Sequence, residues 1–169
     1  WSSDVCSSDL ERLGTAGGIM LAEEYLDKPF FVINGDIFTN LNVDNMMNYH
    51  LVNEFDLTIA VRKYSNRIPY GVITTNGNIV RSIKEKPETE CLINGGVYCL
   101  NPKVVELIPK GKYYEITDLI NSCIEQGLKV GYYEIKEYWM DIGKLDDYYK
   151  VNDDIREIAC AISEGDEID

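Results

Sequence analysis

The sequence predicts one α/β domain, because short apolar runs typical of β-strands alternate along the chain with stretches whose apolar residues recur at helical spacing. The length of 169 residues suits a single domain. The run Phe30-Phe31-Val32-Ile33 stops at Asn34-Gly35-Asp36, which is typical of a strand buried on both faces. An Asn76-Gly77 pair between two later apolar runs indicates a hairpin, so part of the sheet is expected to be antiparallel.

The remaining elements follow from the same two periodicities and from the turn residues that separate them. Helices are predicted over residues 16–26, 43–54, 102–108, 116–126 and 145–155. Strands are predicted over residues 30–33, 57–61, 70–74, 79–83, 91–100 and 129–135. Within the strand over 91–100, the paired glycines Gly95 and Gly96 indicate either a β-bulge or a ligand that passes close to the backbone.

The two ends of the chain depart from this pattern. Residues 2–6 are Ser-Ser-Asp-Val-Cys, and residues 7–10 nearly repeat them as Ser-Ser-Asp-Leu, without helical or strand periodicity. We therefore interpret residues 1–10 as a non-native tag or a sequence artefact. Residues 11–155 are expected to form the domain, and residues 156–169 are expected to form an acidic tail.

Composition excludes several classes of function. The chain has 16 basic and 29 acidic residues, and its net charge of -13 would repel nucleic acid. It contains no run near the roughly 20 apolar residues of a membrane span. Five cysteines without CxxC spacing favour reduced thiols and a cytoplasmic protein. His50 lacks neighbouring metal ligands, so a surface or capping role is expected.

Two acidic residues follow apolar runs where the chain turns away from the predicted sheet. Asp36 follows the strand at 30–33, and Asp141 follows Tyr138-Trp139-Met140. Each has a glycine nearby, Gly35 or Gly143, that would let a phosphate or ion approach. Because Mg²⁺ binds one or two carboxylates together with water and phosphate, the pair is a candidate metal site. Taken singly, each aspartate is also typical of an ordinary turn.

A third candidate is Glu85-Lys86-Pro87, which leaves the strand at 79–83 with an anion, a cation and a rigid turn in succession. Lys86 could neutralise a phosphate, and Glu85 could accept hydrogen bonds from sugar hydroxyls. The same charges would also suit a solvated strand end. Spacing alone leaves both interpretations open.

From Leu13 to about Asn152 the chain resembles the sugar-1-phosphate nucleotidyltransferase family. Six motifs occur in the family's order: Leu13-Gly14-Thr15-Ala16-Gly17, Asn34-Gly35-Asp36, Tyr70-Gly71, Glu85-Lys86-Pro87, Asn94-Gly95-Gly96, and Trp139-Met140-Asp141-Ile142-Gly143 followed by Asp147-Tyr148. Each motif alone is weak evidence. Their common order and approximate spacing favour the functional interpretations of Asp36, Asp141 and Lys86.

The resemblance implies a Rossmann-like, three-layer α/β/α fold with a mixed, mostly parallel sheet, the nucleotide-diphospho-sugar transferase fold, incomplete at its N-terminus. It implies that a nucleoside triphosphate and a sugar 1-phosphate react, with Mg²⁺ as cofactor, to give a nucleotide sugar and pyrophosphate. Asp36, Lys86 and Asp141 would be catalytic, and Asp36 and Asp141 would hold the metal. The nucleotide would contact Gly14, Thr15, Ala16, Gly17, Gly35 and Asp36. The sugar phosphate would contact Tyr70, Gly71, Glu85, Lys86, Asn94, Gly95 and Gly96.

One departure from the family pattern concerns the triphosphate. The family begins with a strand, a glycine-rich loop carrying a basic residue, and a Pro-Lys-Pro segment, and none of these occurs in residues 11–169. A sheet without that strand has uncovered apolar edges. We therefore expect residues 11–169 alone to be inactive or nearly so, and poorly soluble.

Finer assignments stay open at this stage. Resemblance to bacterial guanylyltransferases acting on mannose-like, heptose or hexosamine 1-phosphates makes GTP the first expectation. Residues 62–69 either shape the sugar pocket or form an ordinary exposed connection. A homo-oligomer is also left open. The alternative functions are a non-catalytic nucleotide-sugar-binding regulatory subunit and, ranked lower, a metal-dependent glycosyltransferase, in which Glu85-Lys86-Pro87 would have no role.

Overall fold

The computed structural model describes residues 12–165, with side chains over residues 12–155. Its helices are α1 (Gly14–Gly17), which continues as a 3₁₀ helix (Gly18–Tyr25), α2 (Val43–Val52), a second 3₁₀ helix (Pro102–Leu107), α3 (Ile116–Glu125) and α4 (Leu145–Gly165). Its strands are β1 (Phe30–Ile33), β2 (Ile37–Thr39), β3 (Leu57–Arg67), β4 (Val72–Asn76), β5 (Ile79–Lys84), β6 (Glu88–Leu100), β7 (Val130–Glu134) and β8 (Trp139–Asp141). Residues 1–10, predicted to be a tag or artefact, lie outside the described residues.

Four strands form the central sheet in the order β1-β6-β3-β7. Strand β6 runs antiparallel to both of its neighbours, whereas β3 and β7 are parallel. Three strands therefore point in one direction, and β6 points in the other from a central position. The sheet is mixed, as predicted, but its pairings are not mostly parallel, because β6 makes two of the three antiparallel.

Helices cover both faces of this sheet, which gives the predicted three layers. Successive residues of β6 alternate between two cores, as the two-residue period of a strand requires. Tyr98 and Leu100 join the core beneath α1 and α3, while Val97 and Cys99 join the core beneath α2. The α/β fold class is confirmed. The prediction that the strand at 30–33 is buried on both faces is wrong in degree, because β1 lies at the edge of the sheet, where its first three residues are partly buried and Ile33 is exposed.

Strands β3 and β6 continue beyond the core as a ribbon. The sequence predicts that β3 ends at Val61, but the strand extends to Arg67, which pairs with Glu88 at the start of β6. The ribbon leads into the hairpin β4–β5, where Asn76 pairs with Ile79 across the predicted Asn-Gly turn. Every residue of β5 is exposed. The ribbon has no buried face, so the residues of β3 after Val61 show no alternation of apolar and polar side chains. The sequence pattern therefore could not indicate this part of the strand.

Three predicted helices differ from the structure in type or length. The segment over 16–26 is mostly a 3₁₀ helix, and the glycines Gly17 and Gly18 in its first turns explain why a regular α-helix is not maintained. The segment over 102–108 is also 3₁₀. Helix α4 continues past Ile155 to Gly165, so much of the segment predicted to be an acidic tail has a helical backbone.

The prediction of a surface or capping role for His50 is wrong, because this residue is fully buried. Its Nδ1 lies 2.8 Å from Thr58 Oγ1, and its Nε2 lies 3.3 Å from Asn101 Oδ1. Asn101 donates its own Nδ2–H to the Phe55 carbonyl, so its Oδ1 accepts from His50 Nε2–H. Both ring nitrogens are satisfied by residues outside α2, Thr58 on the next strand and Asn101 after β6, which explains why the helix pattern alone could not reveal the burial.

The described cysteine side chains are free thiols. Cys91 is exposed, whereas Cys99 and Cys123 are buried. Burial raises the pKa of Cys99 to about 12. Among the described residues, no helix has the length and apolar character needed to cross a membrane.

The buried His50 predicts a loss of stability in acid. Burial lowers the pKa of His50, and this effect exceeds the opposing effects of the Asn101 hydrogen bond and the Asp56 charge. The unfolded chain therefore takes up this proton at a higher pH than the folded chain, and the free energy of unfolding should fall as pH drops below about 6.5. The slope should not exceed about 1.4 kcal/mol per pH unit for one proton.

Urea titrations from pH 7.5 to pH 5.5 measure this effect. Burial raises the pKa of Asp56, but hydrogen bonds from Lys103 and the Lys129 backbone outweigh it and leave the pKa lowered. Asp56 thus stays ionised throughout this range and adds no slope. His50→Gln should be less stable at pH 7.5 and lose most of the dependence. Stability that holds constant or increases as pH falls in the native chain would contradict the assignment.

Candidate active site

The pairing of β2 with β8 brings Asp36 and Asp141 together. Ile37 is the antiparallel partner of Asp141, and the Ile142 N–H donates to the Asp36 carbonyl at 2.8 Å. Both aspartates are exposed. The two carboxylates predicted to hold a metal therefore lie on adjacent backbone segments, although they are far apart in sequence.

A tight turn places Asp36 beyond the end of β1. The Asn34 N–H donates to the Gly96 carbonyl at 2.9 Å, and the Ile37 N–H donates to the Asn34 carbonyl at 3.2 Å. These bonds tie the turn to β6 and reverse the chain into β2. Gly35 lies exposed at the turn, with open space around the position of an added Cβ.

Gly95 and Gly96 allow β6 to pass close to its neighbours. A Cβ on Gly95 would lie 2.6 Å from Ile135 Cδ1, and a Cβ on Gly96 would lie 2.7 Å from Ile37 Cγ1. Gly96 also has a φ of 70°, which favours glycine. The ladder with β3 shifts register between Ile59 and Val61, so the predicted bulge is present. Packing within the protein accounts for both glycines, and their contact with a sugar phosphate stays a prediction.

Asn94 is engaged within the protein as well. Its Oδ1 accepts from the Gly96 N–H at 3.0 Å, and its Nδ2 donates to the Tyr98 hydroxyl at 2.7 Å. Burial raises the pKa of Tyr98, and the Asn94 bond opposes this effect. The Asn94 side chain thus stabilises the turn of backbone at Gly96.

Strand β8 is fixed on either side of its first residues. Trp139 donates its indole Nε1–H to the Gly95 carbonyl at 2.8 Å. The Thr39 hydroxyl donates to the Tyr138 carbonyl at 2.7 Å, and the Tyr138 hydroxyl donates to Asp154 of α4 at 2.5 Å. Burial and this carboxylate raise the pKa of Tyr138 to about 12. These contacts join two of the predicted motifs, at Gly95 and at Trp139, and tie them to Thr39 and Asp154 around Asp141.

The predicted nucleotide turn, Gly14 to Gly17, packs against the start of α3. The Ala16 and Gly17 N–H groups each donate to the Tyr114 carbonyl at 3.0 Å. The Thr15 hydroxyl donates to Glu115 Oε2 at 2.7 Å and accepts from the Ile116 N–H at 2.8 Å. The amides of Ala16 and Gly17 are therefore already used, and a nucleobase would have to contact other atoms of this turn.

Two predicted sugar-phosphate motifs meet at the base of the hairpin. A Cβ on Gly71 would lie 3.0 Å from Glu85 Oε2, and the Ile68 N–H donates to the Pro87 carbonyl at 3.1 Å. Tyr70 and Lys86 are exposed beside them. Lys86 has a φ of 42°, an unusual conformation for a residue with a side chain that costs about 1–3 kcal/mol. The structure thus groups these four residues, while their role stays a prediction.

The donor set at β2 and β8 suits magnesium better than zinc. Two exposed carboxylates on adjacent strand ends match the one or two that Mg²⁺ takes before water and phosphate complete its shell. A structural zinc site needs four protein ligands. No group of three or more His, Cys, Asp or Glu side chains suited to a metal occurs in the described part of the chain.

With this geometry established, comparison with known proteins identifies the class. The family described as nucleotidyl transferase matches residues 4–158, and the chain belongs to that family. The predicted resemblance is confirmed.

Individual relatives differ in the substrates that their names state. Mannose-1-phosphate guanyltransferase of Pichia angusta is 33% identical over 151 residues, covering 84% of this chain and 41% of that protein. UTP–glucose-1-phosphate uridylyltransferase of Synechocystis is 30% identical over 164 residues, covering 89% of this chain and 42% of that protein. The chain therefore spans about two fifths of the length of these relatives.

Among solved structures, HddC from Yersinia pseudotuberculosis is similar to this chain. Its crystal structure superposes with a TM-score of 0.59 at 30% identity, covering 83% of this chain and 62% of HddC. A second HddC structure, complexed with GMP-PN, gives the same TM-score at 29% identity. These similarities confirm the predicted fold.

The glycine packing at β6 predicts unequal effects of two alanine substitutions. Gly77→Ala places a Cβ in open space at a φ of 58°, so it should cost about 1 kcal/mol of conformational strain. Gly96→Ala adds a clash with Ile37 and should cost about 2–4 kcal/mol in total. Urea unfolding of both variants measures the difference. Equal losses would show that β6 does not need this close approach.

Proposed function

We propose that this chain is part of an enzyme that joins a nucleoside triphosphate to a sugar 1-phosphate, giving a nucleotide sugar and pyrophosphate. The observation that carries the proposal is the pairing of β2 with β8, which places Asp36 and Asp141 on neighbouring backbone segments. Membership of the nucleotidyl transferase family supports it, as do relatives named as guanyltransferase and uridylyltransferase.

Asp36 and Asp141 would hold Mg²⁺, which offsets phosphate charge when bound. An oxygen of the sugar phosphate forms a bond to the α-phosphorus of the nucleotide. The bond from that phosphorus to the bridging oxygen breaks, and pyrophosphate leaves with the electron pair. The enzyme needs no covalent intermediate for this displacement, so its residues act by orienting the reactants and stabilising charge.

The hairpin base would bind the sugar phosphate. Lys86 is an exposed cation on a turn closed by the bond between Ile68 and Pro87. It would neutralise the phosphate, while Glu85 would accept hydrogen bonds from the sugar hydroxyls. Tyr70 and Gly71 adjoin them, and Asn94, Gly95 and Gly96 would line the same site from β6.

The nucleotide would lie between the turn at Gly14 to Gly17 and the turn at Gly35 and Asp36. We infer GTP as the nucleotide. The guanyltransferase of Pichia angusta and the HddC complex with GMP-PN support guanine, whereas the Synechocystis relative is named for UTP. The sugar is a mannose-like, heptose or hexosamine 1-phosphate in this proposal.

Charge distribution favours anionic substrates at the ribbon. Residues 62–93, which form the ribbon and the hairpin, contain six basic residues and three acidic ones, Glu85, Glu88 and Glu90, in a chain with a net charge of -13. A local positive field on an acidic protein attracts phosphates to that part of its surface. Lys86 lies where the hairpin joins the ribbon, so this field directs anions toward the predicted sugar-phosphate residues.

The reaction is tested by Mg²⁺-dependent pyrophosphate release from the polypeptide that carries this chain at its natural length. A grid of nucleoside triphosphates and sugar 1-phosphates should show release with few combinations. Asp36→Asn and Asp141→Asn should each lower the rate by about 100-fold or more, because each removes a metal ligand. Asp44→Asn, an exposed change in the first turn of α2, serves as the control.

Two results would count against the enzyme. Undiminished release by both variants would remove Asp36 and Asp141 from the mechanism. Silence across the whole grid from folded protein would favour a non-catalytic nucleotide-sugar-binding subunit.

The ribbon charge predicts a dependence on ionic strength. Replacing the exposed Arg81 and Lys84 by glutamine should lower kcat/KM by roughly 3–10-fold at low salt and flatten its salt dependence. The turnover number at saturating substrate should stay within about twofold. Lys28→Gln, an exposed change outside the ribbon, provides the matched control, and an equal loss there would refute local attraction.

A further inference from the structure

The geometry points to Arg62 as a positioning residue that keeps β8, and with it Asp141, aligned on the glycines of β6. Its consequence for catalysis rests on the proposed function, whereas the contacts themselves do not. Arg62 is partly buried on β3, where the ribbon leaves the core. None of the six motifs includes Arg62.

The bulge beside Arg62 belongs to β6. Ile59 and Val61 of β3 pair with Tyr98 and Asn94, so β6 carries the extra residues, and Arg62 follows in regular pairing opposite Ile93. The bulged segment includes Gly95, where an added Cβ would lie 2.9 Å from the Ala60 carbonyl oxygen. The Arg62 guanidinium reaches away from its own ladder and donates from Nη1 to the Glu137 carbonyl at 2.9 Å.

That guanidinium also lies against Trp139. Its Cζ is 6.0 Å from the centre of the indole ring, at the outer range of a cation–π contact. The same indole donates Nε1–H to the Gly95 carbonyl at 2.8 Å. Arg62 therefore contacts two parts of the segment that forms β8. It binds the carbonyl of Glu137, which precedes the strand, and it packs against the indole ring of Trp139, the first residue of the strand.

A planar guanidinium fits both contacts at once. It offers several N–H donors in a plane and a flat face for an aromatic ring, whereas the lysine ammonium is a point charge. The described salt bridges involve Lys63, Lys103 and Lys110 and do not include Arg62. Within the described residues, Arg62 thus contacts the Glu137 carbonyl and the Trp139 ring, and these contacts set the position of the segment that enters β8.

Displacement of Trp139 would be transmitted to the carboxylate pair. Trp139 pairs with Thr39, and Asp141 pairs with Ile37, the residue after Asp36. The ladder between β2 and β8 has three residue pairs and therefore few hydrogen bonds. Its register depends on the contacts that the two strands make with the rest of the protein. Loss of Arg62 should loosen β8 and separate Asp141 from Asp36.

The neighbouring Lys63 offers a matched control. It lies on the opposite face of β3, is exposed, and pairs with Glu134 at 3.3 Å. Lys63→Met removes a cation and its ion pair from the same strand. Arg62→Met removes a cation together with both contacts to the segment before Asp141.

The first readout is the indole Nε1–H signal of Trp139 by ¹H–¹⁵N NMR, assigned with Trp1→Phe because the chain has two tryptophans. Arg62→Met should shift the signal and speed its hydrogen exchange by about tenfold or more. Lys63→Met should leave both unchanged. Arg62→Lys should be intermediate, and it supplies the comparison if Arg62→Met fails to fold.

The second readout uses active protein. Arg62→Met should lower kcat by roughly 10–100-fold, in line with the cost of small misplacements at a reacting centre. It should raise the Mg²⁺ concentration for half-maximal rate by about fivefold, while Lys63→Met changes neither by more than about twofold. Arg62→Lys should recover part of both losses.

The outcomes separate the two proposals. An unchanged indole signal in folded Arg62→Met overturns the positioning role. A changed signal with unchanged kcat and Mg²⁺ dependence, in a protein that turns over, overturns its extension to Asp141. Absence of turnover in the native protein counts against the proposed function, and the indole measurement then decides the Arg62 contact by itself.

Discussion

The close passage of β6 at Gly95 and Gly96 is the constraint on which the rest of this structure depends. Without side chains there, the Gly96 carbonyl can hold the turn after β1, and the Gly95 carbonyl can hold the indole of Trp139. Ile37 and Ile135 fill the space that two Cβ atoms would occupy. The central strand thus fixes both segments that carry the candidate metal ligands.

The candidate site follows from that constraint because its two halves are short and have little stability of their own. Strands β2 and β8 have three residues each and form a separate two-stranded sheet. Two-stranded pairs are marginal in water without further packing. Contacts from β3, β6 and α4 hold them in place, so the relation between Asp36 and Asp141 is a tertiary property of the fold.

The sequence predicted well where a pattern is local. The strand at Phe30, the Asn76-Gly77 hairpin and the acidic strand ends were all predicted from neighbouring residues. The prediction missed β2 and β8 because three residues give no usable period. It misplaced His50 because Thr58 and Asn101, which satisfy its ring nitrogens, lie outside the helix whose pattern was used. It considered Arg62 only within residues 62–69 and missed its contacts with Glu137 and Trp139, which form only in the folded chain.

The central claim is that Asp36 and Asp141 hold one cation together. Binding of Mn²⁺, which accepts the same oxygen ligands as Mg²⁺, can be followed by EPR with a non-hydrolysable nucleotide present. Asp36→Asn and Asp141→Asn should each weaken binding by about tenfold or more, and the double variant should bind little more weakly than either, because a shared site is lost once. The account would be contradicted if neither substitution weakened Mn²⁺ binding, or if each weakened it slightly and the double variant showed the sum of the two effects.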